Sequence, residues 1–196
     1  MNFLAHLYLS GENEETILGN FIADHVKGKR INKYSAGIIA GIKLHREIDA
    51  FTDKHPIFLS SKNRLQKKYR KYSGVIVDMF YDHFLSANWN DYSDEDIISF
   101  TTRMYKIAIK HYFILPPKTK RLLPFMAKSN WLAGYGTFEG IDRALKGMSG
   151  RTPFNSGMEN ATIDLKKDYD KYKTEFQTFF PEIIRYSEKR RSERGI

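Results

Sequence analysis

Apolar residues in this chain recur three and four positions apart along most of its length and scarcely alternate anywhere. That spacing gathers them on one face of an α-helix, whereas a strand needs a period of two. The chain is therefore expected to be all-α, a single-domain helical bundle over residues 1–196. Its content of 41 % hydrophobic and 14 % aromatic residues is enough to fill a sizeable core. The spacing predicts helices over 15–26, 35–52, 58–72, 74–88 and 93–111, the last opened by Ser93 with Asp96 three residues on. Pro116 and Pro117 interrupt the pattern, and shorter helices follow near 118–129 and 137–148. SGRTPFNSG at 149–157 reads as a loop. A long helix from about Glu159 carries Leu165, Tyr169, Tyr172, Phe176 and Phe179 on one stripe. Pro181 is expected to kink or restart it.

Several chemistries are excluded early. The chain has no cysteine, so disulfides, thiolate nucleophiles and cysteine-ligated metals are ruled out. Any metal must be held by His, Asp or Glu, a donor set that suits Mn, Fe, Mg or Zn. There is no G-x-S-x-G, P-loop or G-x-G-x-x-G, and HREID is not H-E-x-x-H. No apolar run approaches the roughly 20 residues of a membrane span. MNFLAHLYLSGENEE lacks a basic start and a small-residue cleavage site, so no signal peptide is read and the cytoplasm is the expected location.

The informative residues are ionisable groups on core-facing rows. Asp24 continues the row of Ile17 and Phe21. His45 and Asp49 continue that of Ile38 and Ile42. Asp78 and Asp82 lie on the row of Val75, Leu85 and Trp89, with His83 beside them. Residues three or four apart on a helix stand about 5–6 Å apart at Cβ. Burying an unpaired carboxylate is costly, and several meeting in one core need a proton or a cation between them. A divalent metal held between facing helices is the economical solution. Arg46, next to His45, would set a guanidinium beside that metal, as a phosphate ester requires; an ion pair with Asp49 or Asp53 is the structural alternative. His6 alone reads as a core histidine. His25 is placed at a rim, His55 as a helix cap, and His111 near a helix C-terminus.

Net charge is +9 and unevenly spread. KNRLQKKYRK at 62–71 holds six basic residues and no acid, SEKRRSERGI is basic, and DYSDED at 91–96 is acidic. An anionic partner is implied without being specified.

MNFLAHLYLS, LGNFIADHVKG, GIKLHREIDAFTDKHP and SGVIVDMFYDHFLSANW together resemble, in order and spacing, the acyl carrier protein phosphodiesterase family. SNWLAGY, GIDRALKGMSGR and the Phe-rich last helix fit the same pattern. The resemblance implies an HD-like helical fold. It also implies a hydrolase that cuts the phosphodiester between 4′-phosphopantetheine and a serine of acyl carrier protein, with a divalent cation, typically Mn²⁺, and with Fe²⁺, Co²⁺ or Mg²⁺ as substitutes. Carried over onto this chain, the metal-ligand positions are Asp24, His45, Asp78, Asp82 and His83; His6, Arg46, Asp49 and Asp53 also fall on family motifs.

On this reading His6 and Asp49 relay protons, Arg46 grips the phosphoryl group and Arg151 is a second clamp. Arg64, Lys67, Lys68 and Lys71, at helical spacing, would form a docking face for the acidic carrier protein. A membrane partner is not expected. Two alternatives share parts of this reading: an HD-like phosphohydrolase acting on a nucleotide or other diester, and a non-enzymatic basic helical module that binds nucleic acid.

Overall fold

A computed structural model of the chain describes residues 2–196. Eleven α-helices and no strand are found among them. They are α1 (Phe3–Tyr8), α2 (Glu14–Ile22), α3 (Ala36–Lys54), α4 (Pro56–Tyr69), α5 (Ser73–Ala87), α6 (Ile97–Lys110), α7 (Pro117–Lys128), α8 (Trp131–Gly134), α9 (Phe138–Ser149), α10 (Ala161–Lys167) and α11 (Tyr169–Ser192). One continuous apolar core runs through them, from Leu4 and Ile17 through Phe58 and Phe80 to Phe176 and Phe180. Helix α5 supplies much of it, with Ile76, Val77, Phe80, Tyr81, Phe84 and Leu85 fully buried.

Helix starts follow capping chemistry. Asn13 caps α2 through Thr16, and Ser35 caps α3 through Ile38. His55 caps α4 by accepting from the Ile57 N–H, as its position before Pro56 suggests, and its Nε2 lies 3.2 Å from Glu182. The start expected at Ser93 falls instead at Asp96, whose carboxylate accepts from both Ile98 and Ser99 at 3.0 Å. A carboxylate that takes two N–H groups is the better cap. The long C-terminal helix also differs from expectation. The break falls at Asp168, between α10 and α11, while α11 runs unbroken across Pro181. Phe176, Phe179, Phe180 and Ile183 are fully buried on both sides of the proline. Their packing outweighs the roughly 3 kcal/mol that a mid-helix proline costs.

Two glycines set how closely α2 and α3 approach. A Cβ on Gly19 of α2 would lie 2.1 Å from the Ile38 carbonyl oxygen, and one on Gly41 of α3 would lie 2.2 Å from that of Thr16. The two helices therefore touch backbone to backbone, which no other residue type at these positions permits. This contact sets Asn20 and Asp24 directly against His45.

Candidate metal centre

FLAHLY folds into the short helix α1, on which His6 is the buried polar side chain. Asn2 caps it through the Phe3 N–H at 2.8 Å. Helix α3 carries His45 and Asp49 one turn apart. Helix α2 ends at Ile22 and tightens into a 3-10 turn, Ala23–His25, that turns Asp24 outward.

These four side chains converge. The His6 Nε2 lies 3.1 Å from Asp49 Oδ1. The His45 Nε2 lies 3.2 Å from Asp49 Oδ2 and 3.3 Å from Asp24 Oδ1. The two imidazoles stack with ring centroids 3.8 Å apart. His6, His45 and Asp49 each offer a ligand atom within 4.8 Å of the others. Both imidazoles are buried, while the Asp24 and Asp49 side chains are 66 % and 39 % exposed. The cluster thus has a closed floor and an open mouth.

Asn20, buried on α2, organises the floor. Its Oδ1 lies 2.9 Å from His45 Nδ1 and its amide donates to the His6 carbonyl oxygen at 2.9 Å. One side chain ties three helices together and fixes the ring that faces the carboxylates. An outer partner on the far ring nitrogen is what a metal-ligating histidine needs. His6 lacks such a partner, because its Nδ1 is buried without a hydrogen bond among the described residues.

Proton distribution shows what the cluster lacks. Burial and the neighbouring His45 hold His6 down at about 4, so it is neutral. Burial also pulls on His45, but its hydrogen bonds to Asp24 and Asp49 prevail and raise it to about 9. The hydrogen bond from His45 holds Asp24 below the usual carboxylate range. Asp49 is pushed up by burial, yet its bonds to His45 and His6 bring it well below that range. One proton on His45 therefore faces two ionised carboxylates and leaves the cluster one positive charge short. A divalent cation can replace that proton, and two imidazole nitrogens with two carboxylates form a donor set compatible with one.

The model of the acyl carrier protein phosphodiesterase family matches residues 1–183. A Photorhabdus laumondii protein named acyl carrier protein phosphodiesterase is 33 % identical over 189 residues, covering 96 % of this chain and 96 % of the relative. Proteins of the same name from Klebsiella pneumoniae and Serratia proteamaculans are 32 % and 29 % identical. The first match covers 96 % of this chain and 98 % of the relative, the second 94 % and 96 %. The chain belongs to the acyl carrier protein phosphodiesterase family. No solved structure matches it.

Within this family member, the other positions singled out from sequence have separate placements. Asp82 is fully buried and accepts from the backbone N–H groups of Leu4, at 2.9 Å, and Ala5, at 3.3 Å. Burial pushes it up to about 7. It holds the first turn of α1, and so the pose of His6, without joining the cluster. His83 lies against Phe138, with Nδ1 2.8 Å from the Tyr135 carbonyl oxygen and Nε2 3.2 Å from the Tyr169 hydroxyl. Neither Asp82 nor His83 is brought to His45. Asp78 is half-buried and raised by burial, with the charges of Asp49 and Asp53 adding in the same direction. Val75, at the head of that row, is exposed.

The basic residues divide in the same way. Arg46 is exposed and donates to the Val26 carbonyl oxygen at 3.1 Å, two residues beyond Asp24. Arg64 pairs with both oxygens of Glu175, at 2.6 and 3.0 Å, and stacks on Tyr172. Lys68 pairs with Asp164 at 2.7 Å, Lys71 lies over Tyr72 and Phe154, and Lys67 is exposed. Two further features carry no sequence signal. Asn20 reads as a polar interruption of LGNFIAD. A cleft lined by Asp24, Lys27, Arg30, Lys118 and Arg121 gathers residues about ninety positions apart.

Proposed function

We propose that the protein hydrolyses, in the cytoplasm, the phosphodiester joining 4′-phosphopantetheine to the serine of holo-acyl carrier protein. Apo-carrier protein and free 4′-phosphopantetheine are the products. The observation that carries this reading is the open His6–Asp24–His45–Asp49 cluster in a chain of this family. These four side chains form the proposed ligand set, with Mn²⁺ the first choice and Asp78 within reach of a second position. When bound, the cation supplies water activation at neutral pH and charge neutralisation at phosphorus.

The chain's own residues do the rest. Asn20 fixes the His45 ring, and Asp82 fixes the helix that carries His6. Arg46, held at the Val26 carbonyl beside Asp24, is placed to grip a phosphoryl oxygen. His6 and Asp49 are both held deprotonated, so they suit ligand or base roles better than donation of a proton to the leaving serine oxygen. The cleft of Lys27, Arg30, Lys118 and Arg121 puts four cations beside Asp24. None of the four makes an ion pair among the described residues, in contrast to Arg64 and Lys68. An acidic carrier is therefore steered to this cleft, with Lys67 and Lys71 more distant contributors.

The test is release of 4′-phosphopantetheine from holo-carrier protein by wild type and His45→Ala, after chelation and after adding back Mn²⁺. Activity is expected only in wild type with the cation present. Equal turnover by both proteins, or turnover indifferent to chelation, would sink the reading.

A further inference from the structure

Beside the cluster, the fold holds a cavity of about 310 Å³ that the metal chemistry does not use. Phe3, Leu122, Trp131, Tyr135, Ala144 and Met148 form its walls. Four helices contribute to it, and three glycines (Gly134, Gly140 and Gly147) leave part of its lining bare of side chains. A largely apolar cavity of this size with a few polar groups at one side is the usual form of a small-molecule site. Arg143 and Arg151 provide those groups; both are exposed, and neither makes an ion pair among the described residues.

Two short series of contacts connect the lining of the cavity to the cluster. Phe3 lies three residues before His6 on α1, hence on the same face one turn away. Its ring centroid is 5.6 Å from that of Phe21, which precedes Asp24 by three residues. Leu122 lies three residues beyond Thr119, whose hydroxyl is 2.7 Å from the ring of His25, the neighbour of Asp24.

We infer that this cavity receives the pantetheine arm of the substrate while its phosphodiester lies at the His6–Asp24–His45–Asp49 cluster. The inference rests on the function proposed for that cluster. The arm is a flexible chain that starts at the phosphate with two methyl groups on one carbon and continues through two amides. Apolar walls one helical turn from the phosphorus suit that first part. The two arginines can donate to the hydroxyl and amide oxygens of the arm. An acyl group begins only beyond the full length of the arm, so it is the arm and not the acyl chain that lies within reach.

Gly147 offers a clean test. A Cβ built there meets nothing within 4 Å, so Gly147→Phe enters open space without displacing backbone. The chain has two tryptophans; Trp89 is buried elsewhere and Trp131 lines the cavity. Pantetheine, which lacks the phosphate, is titrated into wild type and Gly147→Phe while tryptophan fluorescence is followed. KM and kcat for holo-carrier protein are measured alongside, and circular dichroism confirms folding. Should Gly147→Phe fold poorly, Ala144→Leu replaces it. The expected result is saturable quenching in wild type that Gly147→Phe abolishes, with KM raised about tenfold or more and kcat little changed. No quenching by pantetheine in wild type, or quenching and KM both unaltered by the filled cavity, would overturn the inference. Pantetheine binding without any hydrolysis of holo-carrier protein would instead sink the proposed function and leave the cavity assignment standing.

Discussion

Asp49 and Asp82 are carboxylates on core-facing rows of helices that both pack near α1, and they end in opposite states. Asp49 is partly exposed and surrounded by other ionisable groups, and its bonds to two imidazoles keep it charged. Asp82 is fully buried, is satisfied by two backbone N–H groups, and rises to about 7. One meets groups that can exchange a proton for a cation. The other meets two N–H groups fixed by the backbone at the start of α1. Both are desolvated, and the bonds to imidazoles on one side and to backbone N–H groups on the other set which carboxylate stays charged.

The largest effect should come from breaking the chemical side. His45→Ala removes the ring that bridges Asp24 and Asp49, and turnover of holo-carrier protein is expected to fall by about 10³-fold or more. Cation binding by calorimetry should vanish with it, and circular dichroism should show the helical fold retained. Asn20→Ala tests the floor: cation affinity should drop by about 10–100-fold, because the His45 ring loses its outer partner. A loss of folding without a prior loss of affinity would place both residues on the structural side with Asp82.

Asp82→Ala should do the reverse. It leaves the first-turn N–H groups of α1 buried without an acceptor, and about 1–3 kcal/mol of stability is expected to go. Urea unfolding of the metal-free protein measures it, and Asp82→Asn should recover part through one remaining acceptor. The pH dependence carries a sign for each group. Asp82 is raised from 3.8 to about 7, so between those values the folded state holds the extra proton. Its contribution to stability therefore falls as pH rises through that window. His45 is raised from 6.5 to about 9, so its contribution is fully present below 6.5 and lost as pH rises through 9. Metal-free wild type should thus be less stable at pH 9 than at pH 6, and His45→Gln should flatten that upper window. A bound cation takes the proton's place, so its affinity should climb with pH up to about 9 and release one proton on binding. Calorimetry in two buffers of different ionisation enthalpy reads that proton directly.

Periodicity places Asp24, His45, Asp49, Asp78 and Asp82 on inward rows, and the all-α architecture follows from that same spacing. Periodicity is blind to partners, so Asp49 and Asp82 look alike from sequence although one faces imidazoles and the other a helix start. His6 has no periodic signal because α1 is six residues long, too short for a period to show, and only the family motif singles it out. Asn20 depends on the contact of α2 with α3 at Gly19 and Gly41, which is tertiary. The continuity of α11 across Pro181 is likewise decided by packing that a local signal cannot express.

The smallest expected effect concerns charge, where the same contrast recurs on the surface. Arg64 and Lys68 belong to the basic run that looks most like a docking face, yet both are bound to acids of their own chain. Lys27, Arg30, Lys118 and Arg121 are scattered in sequence and meet beside Asp24 without an ion pair among the described residues. Charge already neutralised steers little, and charge left bare beside the cluster steers most. Lys27→Glu with Lys118→Glu should therefore raise KM for holo-carrier protein about tenfold at low salt, with kcat nearly constant. The penalty should shrink as salt is added. Arg64→Gln should instead lower stability, by releasing Glu175 and the stacking on Tyr172, and leave KM close to wild type. If Arg64→Gln raised KM as much as the double reversal while the melting temperature held, the carrier would dock on α4. The unpaired cleft would then be a feature of the surface alone.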